Sequence, residues 1–282
     1  MHVTEVVRIL IGASLAIYVL SGLLFVLKQR IPGLVALGLA WVVSLVVVAV
    51  NWIVGGHPPL GNMYHVLVFL GLCFPPIYAF VAWRTGFTWL DKYFAFSAAV
   101  PLIGSMFMEA DVLWQRMPAL QSPWFVPHVV SYMISYSLAA VAFALVLLGA
   151  VRGWWLSPGS DIEREEFEEP VGTEEADGPV LLPYKEAAYG ILLMAFPFMT
   201  FGMFSGAIWA DQAWGGYWSW DPKETWSLIT WTLYLVYFHC RLRARLRKYA
   251  TPAHVLAFAA LVTTFVLVNL LPKLASALHS YT

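Results

Sequence analysis

The chain has 282 residues, of which 60% are hydrophobic and 12% charged, where a soluble globular domain is roughly 45–50% apolar and about 25% charged. With a mean hydropathy of +0.72, these proportions exclude a water-soluble enzyme and describe an all-α, polytopic integral membrane helical bundle. The formal net charge of −1 hides an asymmetry, because nine of the seventeen acidic residues lie between Asp161 and Asp177; without that stretch and its Arg164, 15 basic residues stand against 8 acidic ones.

Eight apolar stretches are candidates to cross about 30 Å of hydrocarbon, which needs roughly 20 residues each, so about eight transmembrane helices with both termini outside are expected. They fall near 6–27, 33–54, 64–83, 93–108, 128–150, 187–207, 226–244 and 254–275. The first runs longer than a signal-peptide core and has no small-residue cleavage site before Lys28, so it reads as a retained helix. The fourth is the shortest and contains Pro101. Placing both termini outside puts twelve Lys and Arg residues in inner loops and leaves Arg8, Arg116, Lys223 and Lys273 outside, the arrangement that the positive-inside rule selects.

The chain thus reads as a single membrane domain over 1–282, with a cytoplasmic acidic loop over 151–185 and an outer tryptophan-rich loop over 208–226. The acidic loop, punctuated by Pro158, Gly159, Pro170, Gly172, Gly178 and Pro179, is expected to be a solvated linker. The basic residues are scattered over loops and helix ends, so no nucleic acid is expected as a partner. Cys73 and Cys240 lie in separate apolar segments, which gives neither a disulfide framework nor a zinc spacing.

In this topology the outward face consists of the segments 55–63, 109–127 and 208–225 with the terminal Leu278-His279-Ser280-Tyr281. His57, His65, His128 and His279 belong to that face, while His239 and His254 lie toward the inner side. Between Trp209 and Trp226 the chain carries five Trp and one Tyr in eighteen residues, interrupted by Gly215-Gly216 and Asp221-Pro222. Asp221 suits a helix N-cap, with Pro222 in the first position and Glu224 in the positive end of the dipole. An interfacial aromatic belt accounts for two or three such rings but not for this density. An aromatic shelf, cations such as Lys223 or Arg116, and imidazoles together suit a planar apolar macrocycle with acidic edges and a metal, which describes haem.

The run Phe198-Met199-Thr200-Phe201-Gly202, then Ser205-Gly206-Ala207-Ile208-Trp209-Ala210 and Trp214-Gly215-Gly216-Tyr217-Trp218-Ser219-Trp220-Asp221-Pro222-Lys223-Glu224-Thr225-Trp226 resembles the signature of the CcsA (ResC) family. These are the haem-handling proteins of System II cytochrome c maturation. His128-Val129-Val130-Ser131-Tyr132-Met133, Tyr237-Phe238-His239-Cys240-Arg241, Leu278-His279-Ser280-Tyr281 and Gly56-His57-Pro58-Pro59-Leu60 extend the likeness over most of the chain from Gly55 onward. Where this chain has His65, the family pattern has an acidic residue.

The resemblance implies that His128 and His279 ligate the iron of a b-type haem beneath a shelf formed by Trp214, Trp218, Trp220, Asp221 and Trp226. It implies that His239 is the membrane-embedded histidine that receives haem on its way out. It further implies a CcsB (ResB)-like membrane partner, an apocytochrome c substrate with a Cys-x-x-Cys-His segment, and a place in a holocytochrome c synthase complex. The active face would then lie outside the cytoplasm, in a bacterial cytoplasmic or a thylakoid membrane. Two alternatives stay open: a CcmC-type haem delivery or export protein without lyase activity, and a non-haem membrane scaffold.

Overall fold

A computed structural model describes residues 3–110, 112, 117–156 and 182–268. Among them are eight α-helices, and each answers one of the eight apolar stretches. They are α1 (Val3–Val26), α2 (Arg30–Gly55), α3 (Met63–Thr85), α4 (Asp91–Met106), α5 (Phe125–Leu156), α6 (Leu182–Trp214), α7 (Pro222–Leu242) and α8 (Ala250–Val262), the last continued by a π-helical turn over Thr263–Leu267. No strand occurs among the described residues, as expected where every backbone N–H and C=O must be satisfied within the hydrocarbon.

Six helical segments are long and apolar enough to cross a membrane: α1, α2, α3, most of α5, most of α6, and Ala244–Leu267, which carries α8. Helix α4 has 16 residues, which at about 1.5 Å per residue falls short of a full crossing. Helix α7 has 21 residues and is long enough, but it is diluted by polar groups that serve the interior. Thr230 shares a hydrogen bond with Thr264 at 3.2 Å, and Trp231 Nε1 donates to Thr200 Oγ1 at 3.0 Å.

Helices α1 to α4 form one packed group through the pairs α1/α2, α1/α4 and α3/α4. Helices α5 to α8 form a second group through α5/α6 and α7/α8, and α3 and α4 join the two by packing on α5. Outward apolar side chains such as Ile9, Ile53 and Trp83 are exposed and suit a lipid-facing surface. Between α1 and α2, where lipid offers no hydrophobic gain, buried serines act as polar adhesive. Ser14 Oγ meets Ser44 Oγ and lies 3.1 Å from the Ala40 carbonyl, and Ser21 Oγ donates to the Gly33 carbonyl at 2.8 Å.

Two predicted loops are shorter than the sequence suggested. The tryptophan-rich segment read as loop over 208–226 begins as helix, because α6 continues to Trp214 and leaves residues 215–221 between helices. The extension is driven by burial: Trp209 is only 2% exposed, and it stays on the inward stripe of α6 with Ser205, one turn earlier. Likewise α5 runs to Leu156 and α6 starts at Leu182, so both ends of the segment 151–185 are helical. The acidic stretch 161–177, Arg116, Lys273 and His279 lie outside the described residues.

Replacing Ser14 by Ala should lower stability in detergent by about 0.6 kcal/mol and by no more than about 1.7 kcal/mol, measurable by reversible unfolding in mixed micelles. A loss several times larger would mean that the serine contact is not a local one.

Candidate functional site

Helices α3, α5 and α7 begin, and α6 ends, around a cavity of about 350 Å³, within the roughly 300–1,000 Å³ usual for small-molecule sites. Its walls come from Leu60–Met63 ahead of and at the start of α3, from Phe125, His128, Tyr132 and Tyr136 on α5, and from Met203, Gly206 and Trp209 on α6. Trp218, the first turns of α7 with Lys223 and Glu224, and the π-helical turn with Thr264 and Phe265 complete it. The three loops assigned by sequence to one face therefore do meet at one end of the bundle.

The α5 wall follows from helical spacing. His128, Tyr132 and Tyr136 are four residues apart and so share one face. Their rings form a column, with centroids 5.1 Å apart between His128 and Tyr132 and 5.2 Å apart between Tyr132 and Tyr136. Helix α6 receives the column with Gly202 and Gly206, a Gly-x-x-x-Gly pair of the kind that lets membrane helices approach closely. A Cβ at Gly206 would lie 2.5 Å from the His128 ring, and one at Gly202 would lie 3.0 Å from the Tyr132 ring. At Gly206 an added methyl would force the His128 ring to move, and at Gly202 it would press tightly on the Tyr132 ring.

This approach fixes the imidazole. His128 Nδ1 lies 2.8 Å from the Gly202 carbonyl oxygen, and since a carbonyl can only accept, Nδ1 carries the hydrogen and donates it. In the neutral ring the lone pair is then on Nε2. An imidazole whose other nitrogen donates to a backbone carbonyl is the usual oriented, more basic form found in metal ligation. Trp209 braces the same ring, with centroids 5.5 Å apart and planes 32° apart. It is itself anchored by a hydrogen bond from Nε1 to the Ala119 carbonyl at 2.8 Å and by Phe125 and Trp214 at 5.4 and 4.9 Å.

The short connection from α6 to α7 is held by its own polar groups. Gly215 and Trp220 take left-handed φ values of 79° and 58°, which reverses the chain tightly. Asp221 then caps α7, accepting from the Lys223 and Glu224 amides at 2.8 and 3.3 Å, while Glu224 returns a carboxylate oxygen to the Asp221 amide at 3.3 Å and the Ser219 amide at 2.7 Å. This is the reciprocal capping box, with Pro222 in the first turn. Lys223, ahead of the apolar part of α7, loses water in the cavity wall, which pulls its ammonium down to about 8 against the opposing pull of the Asp221 carboxylate. A carboxylate brought into the cavity would find this cation already desolvated.

The site residues read from the sequence divide accordingly. His128 and Trp218 line the cavity, and the buried Nε1–H of Trp218 has no acceptor among the described residues. Trp214 stands behind the wall against Trp209, and Trp220 is 68% exposed with its ring 5.9 Å from that of Trp218. Asp221 is committed to the helix cap, and Trp226 is half-buried on α7 outside the lining. His239 is exposed near the far end of α7, away from the cavity. His65 is buried at 2% in α3 and not in the wall, and His279 lies outside the described residues. Sequence reasoning passed over Trp209, Tyr132, Tyr136 and the glycine pair as site residues. The four-residue spacing on both helices was the available signal.

This bundle, closed at one end around an aromatic cavity with an oriented imidazole, is matched over residues 60–275 by the family described as the cytochrome C assembly protein. The Cytochrome c biogenesis protein CcsA of Chlamydomonas reinhardtii is 32% identical over 273 residues, spanning 93% of this chain and 71% of that protein. The CcsA of Guillardia theta is 33% identical over 259 residues, 86% and 83% of the two chains, and that of Synechococcus elongatus is 32% identical over 305 residues, 93% and 91%. The chain belongs to the CcsA family, and it is an integral membrane protein of cytochrome c biogenesis.

Replacing Asp221 by Ala should cost about 1 kcal/mol of stability through the lost cap, whereas Asn, which also caps well, should be nearly neutral. Thermal unfolding of the two variants separates this structural role from ligand contact, because a ligand role would make Asn as damaging as Ala.

Proposed function

We propose that within cytochrome c biogenesis this protein holds haem in the cavity beneath the tryptophan segment and presents it to apocytochrome c for covalent attachment. The observation that carries this reading is the His128 imidazole, turned by the Gly202 carbonyl so that its lone pair is on Nε2. The donor set suits a metal that arrives in its own macrocycle: among the described residues no three His, Cys, Asp or Glu side chains converge to cage a bare ion, and an iron already held by a porphyrin needs only axial ligands. Trp209, Trp218 and Phe125 offer apolar faces, Lys223 offers a cation to a propionate, and the Trp218 Nε1–H remains for an acceptor.

In this reading His128 and His279 would hold the iron through their imidazoles, and the histidine of the Cys-x-x-Cys-His segment would take the place of one of them. Haem brings the vinyl groups to which the two cysteine thiols add. The protein contributes position, holding the edge of the macrocycle where thiols can reach it, which is worth several orders of magnitude in rate without any activated nucleophile. His239, exposed on α7 at some distance from the cavity, would take haem at an earlier stage together with a ligand from a CcsB (ResB)-like partner. The cavity then faces away from the cytoplasm, as the distribution of Lys and Arg favours.

The test is the visible spectrum of the purified protein, oxidised and reduced, beside His128→Ala and His279→Ala. Sharp low-spin bands in the parent, broadened or lost in either variant, are expected; a colourless protein from haem-replete cells expressing its partner overturns the proposal. Gly206→Ala should act like a weaker His128 variant, since the added methyl displaces the ring. It should lower haem content while leaving helix content by circular dichroism unchanged.

A further inference from the structure

At the end of the α5–α8 group opposite the tryptophan segment, a second, narrow cleft is lined by Lys185 from the start of α6, Arg241 from the end of α7, Arg247 from the 3₁₀ turn Ala244–Tyr249, and Thr251 and His254 from α8. Its free space is about 10 Å³, room for about one water-sized atom group, such as a single oxygen of a larger head whose remainder stays at the mouth. His254, 1% exposed, closes the floor between Tyr234 and Tyr237. Three cations from three separate elements thus surround a space of this size.

The guanidinium of Arg241 shows which part of the charge is already used. One nitrogen pairs with Glu186, and the plane lies over the Tyr189 ring at 4.9 Å. The Nε–H, in contrast, is buried with no acceptor among the described residues. Glu186 is itself 59% exposed, so its carboxylate sits at the rim and not in the cleft. A planar donor edge that is fixed from two sides and left without an acceptor, with an ammonium and a second guanidinium around the same cleft, matches an oxyanion. Beside the cleft, Leu242 and Tyr249 expose apolar surface, at 71% and 52%, where an acyl chain or a porphyrin face could lie.

We infer that the Lys185–Arg241–Arg247 cleft binds the oxyanion head of an anionic amphiphile that reaches this end of the bundle through the bilayer. The head is the phosphate of an acidic phospholipid or the propionate of haem; each offers a pair of anionic oxygens that the same N–H donors can meet. Basic pockets between membrane helices bind lipid heads in this way. The inference does not depend on what occupies the larger cavity.

The experiment uses the full chain in a non-ionic maltoside detergent. Native mass spectrometry compares retention of phosphatidylglycerol with that of phosphatidylcholine, whose phosphate is neutralised by its own choline. Absorption titration in a His128→Ala background compares haem with haem dimethyl ester, whose propionates are masked. At least one acidic probe should bind in preference to its neutral counterpart, and the preferred probe identifies the source as lipid or haem. The double variant Lys185→Gln, Arg247→Gln should weaken that probe about tenfold or more, with Arg247→Lys alone retaining most of the affinity. The inference is overturned if neither acidic probe is preferred by the unsubstituted chain, a result that needs no variant to fold. It is also overturned if the double variant, with helix content unchanged, binds as the parent does.

Discussion

The close approach of α5 to α6 is the contact on which the rest of the site depends. Two glycines one turn apart leave no side chain between the helices, so the His128 and Tyr132 rings lie directly on the α6 backbone, with Tyr136 next in the column. That proximity brings the Gly202 carbonyl within hydrogen-bonding distance of His128 and turns a generic interfacial histidine into one with a defined tautomer. Packing in a membrane interior gains little from hydrophobicity alone. Here close packing and polar orientation arise from the same pair of missing side chains.

The tryptophan segment builds on this contact in two parts. Its helical half carries Trp209 inward, where the indole fills the space beside His128 and is pinned to the Ala119 carbonyl. Its non-helical half reverses through left-handed residues and is stopped by the Asp221–Glu224 capping box. The reversal carries Trp218 into the cavity wall and leaves Trp220 facing outward. The two carboxylates thus set the shape of the loop and place Lys223, between them in sequence, in the cavity wall.

Much of this was legible from the residues. Hydropathy located the eight described helices, six of them in segments long and apolar enough to cross a bilayer, and the Asp-Pro-x-Glu pattern identified the start of α7 through the chemistry of orphan amides. The extent of α6 was not legible, because Gly215-Gly216 and Asp221-Pro222 made the whole segment read as a loop while burial of one indole against α5 keeps the helix going to Trp214. Nor could the sequence rank the tryptophans: Trp209, Trp214, Trp218 and Trp220 are alike as letters and differ only in the face that they present. The glycine pair was visible as spacing, but its partner on α5 is a tertiary fact. His239 and His65 show the same limit, since both are membrane histidines and one is exposed while the other is buried.

The central claim concerns one nitrogen, and nitrogen-15 spectroscopy of ring-labelled histidine observes it directly. With His128 assigned by comparison with the His128→Ala variant, the neutral ring in haem-free protein should show Nδ1 protonated and Nε2 unprotonated. A His128 ring protonated at Nε2, or exchanging freely between both forms, would contradict the account, because the α5–α6 contact would then not orient the ligand.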